Sequence, residues 1–178
     1  MLVTLQTIGS SCGVPTSGYV GRLFILPADQ VTYIAEPSGT ASVCMQVATM
    51  EGAELLELPL RPKNCTYSES TSNGDSYAVS LQLSYPSNSN KALTQWAAQN
   101  KRRRWVAIFS TVNGQKYIAG EVGNGLRMTI SEATYISIGF SGQFSHTMWQ
   151  LPTVEPAVLF SEPTFQSTDF STDFQLES

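Results

Sequence analysis

Charge is what this chain has least of. Asp, Glu, Lys and Arg make up 13% of its 178 residues, against about 25% in ordinary soluble domains, while the hydrophobic share of 42% is near normal. Ser, Thr, Asn, Gln and Gly fill the gap. Few charges leave a surface poorly defended against association, which suits a protein whose faces end against neighbours; a secreted-type β-sandwich would favour Ser and Thr as well. Cysteine is scarce too. Cys12, Cys44 and Cys65 are odd in number and lack C-x-x-C spacing, so neither a complete disulfide framework nor a zinc knuckle follows, and buried reduced thiols are expected. His146 is the only histidine, which excludes a metal site of several imidazoles and any relay needing two. No run approaches the roughly 20 apolar residues of a membrane span. The first residues, Met1 to Ile8, carry no basic start and reach Gly9 to Gly13 before a long apolar region develops, so no signal peptide is expected. Without a secretory route, the Asn64-Cys65-Thr66 glycosylation pattern reads as coincidence. A net charge of -4 and a pI near 4.9 argue against a general nucleic-acid binder, although local basic patches stay open.

What the chain does have is strand after strand. The length predicts one domain that buries roughly 70% of its unfolded surface. Arg104 to Val112 and Gln115 to Val122 flank Asn113-Gly114, the residues that accept the positive φ angles of a two-residue type I′ hairpin. Gly123 to Gly125 is expected to reverse the chain into Leu126 to Ile130, with Ala133 to Ile138 as a fourth run. Upstream, Leu2 to Ile8, Arg22 to Leu26, Val31 to Ala35, Ser42 to Thr49 and Ser76 to Tyr85 carry strand composition. In the last of these, Tyr77, Val79, Leu81, Leu83 and Tyr85 share one face, the pattern of a strand covering a core on one side. The polar stretch Thr66 to Asp75 reads as an exposed loop, and Ala157 to Phe160 as an edge strand among Pro152, Pro156 and Pro163.

One helix is predicted from about Ser89 to Arg102, capped by Ser87 or Ser89, with Leu93, Trp96 and Ala97 on its buried stripe. Lys101, Arg102, Arg103 and Arg104 stand at its C-terminal end, where cations favour the exposed carbonyls. The alternative is a patch facing DNA or an acidic partner. The fold class is therefore mainly β: an antiparallel β-sandwich or β-barrel over residues 1–160, one flanking α-helix, and an extended or disordered C-terminal arm over 161–178. Phe165, Phe170 and Phe174 of that arm offer spaced anchors for grooves on a neighbouring subunit; a disordered tail is the other reading.

Chemistry is hard to find. Gly139-Phe140-Ser141-Gly142 is G-x-S-G, not the G-x-S-x-G of a nucleophile elbow. Glu51, Glu54 and Glu57 pair with neither a base nor a metal-loop pattern. Gly120 to Gly125 joins strands and does not open a helix, so it lacks the helix N-terminus of a phosphate loop. No nucleophile, base and oxyanion donor come together, so no enzyme activity and no cofactor are expected.

The order of basic run, Trp105-Val-Ala-Ile-Phe109, Asn113-Gly114, Tyr117-Ile-Ala-Gly120, Gly125-Leu-Arg-Met128 and Tyr135-Ile-Ser-Ile-Gly-Phe-Ser-Gly142 resembles small tailed-phage and prophage virion proteins of the tail or head-tail connector type. The resemblance covers Lys101 to about Trp149. It implies a non-enzymatic structural subunit of tail tube, tail terminator or neck, self-assembling into rings or tubes. Its partners would be copies of itself and other virion proteins, with transient contact with packaged DNA as an option and no membrane. Its location would be the virion, assembled in the host cytoplasm. A carbohydrate-binding β-sandwich is the rival, and would show at least two of Trp96, Trp105 and Trp149 exposed on one flat face. A small hydrolase would need His146 beside a hydroxyl or an acid in a pocket.

Overall fold

A computed structural model describes residues 16–37, 46–72, 76–86, 91–160 and 166–169. The predicted strand Leu2 to Ile8, Cys12, Cys44, the capping Ser87 and Ser89, and Phe165, Phe170 and Phe174 lie outside the described residues.

The protein is mainly β, and its frame is one antiparallel pair, β1 (Thr16–Pro27) and β7 (Arg104–Thr111), joined from Val20↔Thr111 to Pro27↔Trp105. The outer edge of each is shared by two successive strands. Along β1 run β4 (Glu54–Leu58) and then β5 (Cys65–Ser72). Along β7 run β8 (Lys116–Ala119) and then β9 (Leu126–Glu132). β5 turns back into β6 (Ser76–Pro86), β9 turns back into β10 (Tyr135–Phe144), and β6 pairs with β10. One connectivity thus occurs twice about an approximate two-fold, and the circuit β1-β7-β9-β10-β6-β5 closes a six-stranded barrel flattened into a sandwich.

The remaining elements extend or cover this frame. β2 (Val31–Ile34) and β3 (Val47–Thr49) form a separate two-stranded sheet. β11 (Trp149–Gln150) adds to β8, and β12 (Gln166–Asp169) adds in parallel to β4. The helix α1 (Lys91–Asn100) packs beside β9 and sends Leu93 and Ala97 into the barrel. Part of the expected C-terminal arm is therefore a strand of the main sheet.

Two apolar clusters lie on opposite sides of β1 and β7. Inside the barrel are Leu23, Ile25, Leu81, Leu83, Trp105, Phe109, Ile138 and Phe140, among others. Behind the pair, Phe24, Leu26, Val106, Ile108 and Ile118 meet Val31, Ile34, Val47, Leu151, Val154, Leu159 and Phe160. Both faces of β7 are covered, which is why Trp105 to Phe109 is an unbroken buried run. β6 has one covered face, and Val79, Leu81, Leu83 and Tyr85 alternate with more exposed residues, as the sequence predicts.

Several expectations need correction. The 66–75 loop is mostly β5, because its inward set of Cys65, Tyr67 and Glu69 is buried against the barrel while β6 takes up its backbone bonds. The β7–β8 hairpin exists, but Asn113 is not among the residues with positive φ and Gly114 is, at 83°. With Gly114 N donating to Thr111 O, and Thr111 N donating to Gln115 O, the loop has three residues and a glycine bulge. Gly123 to Gly125 does not reverse the chain for good: β8 and β9 both run antiparallel to β7, and Glu121 and Asn124 bond each other to close an excursion within one return path. Glycine is required there. Gly120 has φ of 115°, and a Cβ on Gly125 would lie 2.7 Å from the backbone N and O of Trp105. The edge strand expected at Ala157 to Phe160 is a short helix, α2 (Pro156–Leu159), with Pro156 at its start, where proline has no amide bond to lose.

Candidate functional site

The outward face of the β9-β10-β6-β5 sheet carries no second layer among the described residues, and strand register fixes what it displays. Paired residues share a face, so Ser17↔Ser68, Ser68↔Ser80, Ser80↔Ser141, Ser141↔Arg127 and Arg127↔Arg104 form one row across six strands. Thr66, Gln82, Gly139 and Thr129 make the next row. Gln82 Nε2 bonds Ser137 Oγ, tying this row to the one beyond it, in which Ser84, Ser137 and Ser131 pair. A groove of about 660 Å³ follows the serine row, with Arg104 and Arg127 at one end and Ser70, Asn124 and Gln143 on its walls.

The basic run does not act as a unit. Lys101 and Arg102 are exposed in the turn after α1. Arg103 lies over the Trp105 ring at 5.8 Å and reaches Asp29 and Glu54 at 3.6 and 3.7 Å, so it ties the helix exit to β4 and the turn after β1. Only Arg104 turns into the groove, where its Nη1 donates to Gly125 O at 3.4 Å. Its register partner Arg127 is the residue that sequence reasoning missed. Alternation of Leu126, Arg127 and Met128 shows that Arg127 points outward, but nothing local shows that it faces Arg104.

A second polar cluster surrounds residues 145–149. The buried Glu69 accepts from Thr147 Oγ1 with both carboxylate oxygens, at 2.9 Å each, and from Met148 N at 2.5 Å. His146 stacks on Trp149 with centroids 4.0 Å apart, and its Nε2 lies 3.2 Å from Glu121 Oε1, out of line for a hydrogen bond. Ser145 Oγ donates to the same Glu121 oxygen at 3.4 Å. An acid does stand beside the histidine, which the sequence did not reveal. The three are not wired as a Ser-His-acid relay, because Glu121 sits between serine and histidine, whereas the imidazole must touch the hydroxyl it deprotonates. Ser141 of the G-x-S-G run lies within β10, on no strand-to-helix turn.

The tryptophans form no common platform. Trp105 is buried in the barrel, Trp96 is half-buried against it at 5.3 Å, and Trp149 packs on the rear cluster. Burial pushes the Cys65 thiol up to about 12 and raises the Tyr85 phenol, whose hydroxyl donates to Pro59 O at 2.8 Å. Both groups are held neutral in the core. Among the described residues, no group of His, Cys, Asp and Glu is placed to hold a metal ion, and no helix is long and apolar enough to cross a membrane.

Compared with known proteins, the chain matches no family model, no curated protein and no solved structure.

Proposed function

We propose that this chain is a non-enzymatic structural subunit of a bacteriophage virion, of the tail tube, tail terminator or neck type, assembling into rings or tubes with copies of itself and other virion proteins in the host cytoplasm. The observation that carries the reading is β12. Residues of the C-terminal arm lie along β4 as an added parallel strand. Strand addition of this kind is held by backbone bonds, and those bonds are indifferent to whether the arm comes from the same chain or a neighbour. The scarcity of charge suits a sheet whose ends meet other sheets. Head-to-tail repetition of one such contact gives a closed ring or a helical stack. In this reading Phe165, Phe170 and Phe174 anchor the arm, while Lys101 and Arg102 remain available to a partner subunit or to passing DNA.

Light scattering and negative-stain imaging of the purified chain at high concentration test this. Rings or tubes are expected, and deleting Thr164 to Ser178 should abolish them while leaving a monomer that unfolds in one transition. A chain that stays monomeric at millimolar concentration, or a deletion variant that assembles like the full chain, would overturn the proposal. A lasting monomer that binds glycans would favour the carbohydrate-binding module.

A further inference from the structure

Arg104 and Arg127 stand directly opposite each other in register on an outward face. Like charges in that arrangement repel, because cross-strand partners hold their Cβ atoms about 5 Å apart. Two partly buried arginines elsewhere are answered with carboxylates: Arg22 has Glu57 and Glu155, and Arg103 has Asp29 and Glu54. Among the described residues, no Asp or Glu lines the groove that holds Arg104 and Arg127. Glu121, reached through Asn124 at its mouth, is occupied by Asn124, Ser145 and His146. The groove therefore combines two guanidinium groups, whose planar donors match oxyanions, with a line of hydroxyls and, among the described residues, no competing acid.

We propose that this groove is an oxyanion site, binding a phosphate or sulfate group, free or as the ester end of a small ligand. Arg104 and Arg127 clamp the anion, and the Ser141 hydroxyl, next to Arg127 in the row, donates to a remaining oxygen. Ser80 and Ser68 continue the row at about 4.8 Å per strand, in position to hydrogen-bond the body of an ester. The inference goes beyond the assembly proposal and does not rest on it, since every group belongs to a single chain.

The test is calorimetry and thermal unfolding of the full chain in sodium phosphate or sulfate, against sodium chloride of equal ionic strength. Phosphate and sulfate should raise the unfolding temperature where chloride does not. Arg127→Gln and Arg104→Gln should each weaken binding at least about tenfold, the scale of a hydrogen bond to a charged group. In chloride, Arg127→Gln should unfold no earlier than the parent, because it relieves the opposed charges. The exposed double variant Lys101→Gln, Arg102→Gln should bind as the parent does. Glycerol phosphate binding tighter than inorganic phosphate would assign the site to an ester, and equal binding would assign it to the free ion. The proposal falls if phosphate and sulfate act no differently from chloride, if both groove variants keep the response, or if the Lys101 and Arg102 double variant loses it. It falls equally if an oligonucleotide binds while inorganic phosphate at tens of millimolar does not.

Discussion

The two sheets of this sandwich share one core and differ in what lies behind them. β1 and β7 are covered on both sides, by the barrel interior and by the layer of β2, β3 and residues 151–160. Among the described residues, β5, β6, β10 and β9 are covered on one. Burial on two faces selects an unbroken apolar run, and burial on one face selects alternation. The difference frees half of the second sheet's side chains from any packing duty. Ser68, Ser80, Ser141 and Arg127 occupy those positions, and Arg104 joins them from the exposed first residue of β7, so the groove lies where the fold demands least of the side chain.

The largest effects should come from breaking the first sheet. Ile108 and Phe109 are consecutive residues facing opposite clusters. Urea unfolding of Phe109→Ala should show a loss of about 3–5 kcal/mol and of Ile108→Ala about 2–5 kcal/mol, because each leaves a cavity in a closed layer. In β6 the same pair of positions behaves differently, since Leu81→Ala should be as costly as Ile108→Ala while its neighbour costs almost nothing. A small loss for Ile108→Ala would mean that the rear layer is loosely packed and that the two sheets are alike.

That contrast also explains what was legible. The alternation in Ser76 to Tyr85 and the run from Trp105 to Phe109 are local signals, and both lead to a mainly β fold with one flanking helix. β5 was obscured because Thr66, Ser68 and Ser70 dominate its composition, and its strand character depends on a partner. The Asn113-Gly114 pair located the hairpin but not its loop length, which follows from Gly114 alone taking the positive φ. Arg104 was visible as the last member of a basic run. Its meaning was not, because the run divides, with Arg103 turning to Asp29 and Glu54. Arg127 reaches Arg104 only through the Gly120 to Gly125 excursion, a non-local register that no spacing along the chain encodes.

Alkaline titration sharpens the comparison from within the second sheet. Cys65 sits on the inward face of β5, where burial raises its thiol from 9.0 to about 12. Above pH 9 the unfolded chain loses this proton while the folded chain keeps it, so stability should fall as pH rises from 9 toward 12 and be unaffected below. The slope reaches at most about 1.4 kcal/mol per pH unit from this group. Cys65→Val should flatten that part of the curve, measured by urea unfolding at successive pH values. Tyr85, raised in the same direction, adds its own slope and calls for a Tyr85→Phe control. If Cys65→Val leaves the curve unchanged, the inward face of β5 is wetter than a sealed barrel permits.

The smallest effect belongs to the outward face and is the more telling for it. Ser68 and Ser80 pair in register on that face, with no element stacked over them among the described residues. Replacing either by Ala should change stability by no more than about 0.5 kcal/mol, the range of ordinary surface substitutions. A sheet that holds its strands through backbone ladders and one apolar face gains little from hydroxyls on the other. If both substitutions are neutral to folding while Ser141→Ala weakens phosphate binding, the row serves a ligand. If each costs more than 1 kcal/mol, cross-strand hydroxyl bonds of the kind worth about 0.2–1 kcal/mol per pair must be linked along the row. Its polarity would then serve the sheet, leaving Arg104 and Arg127 alone to account for the groove.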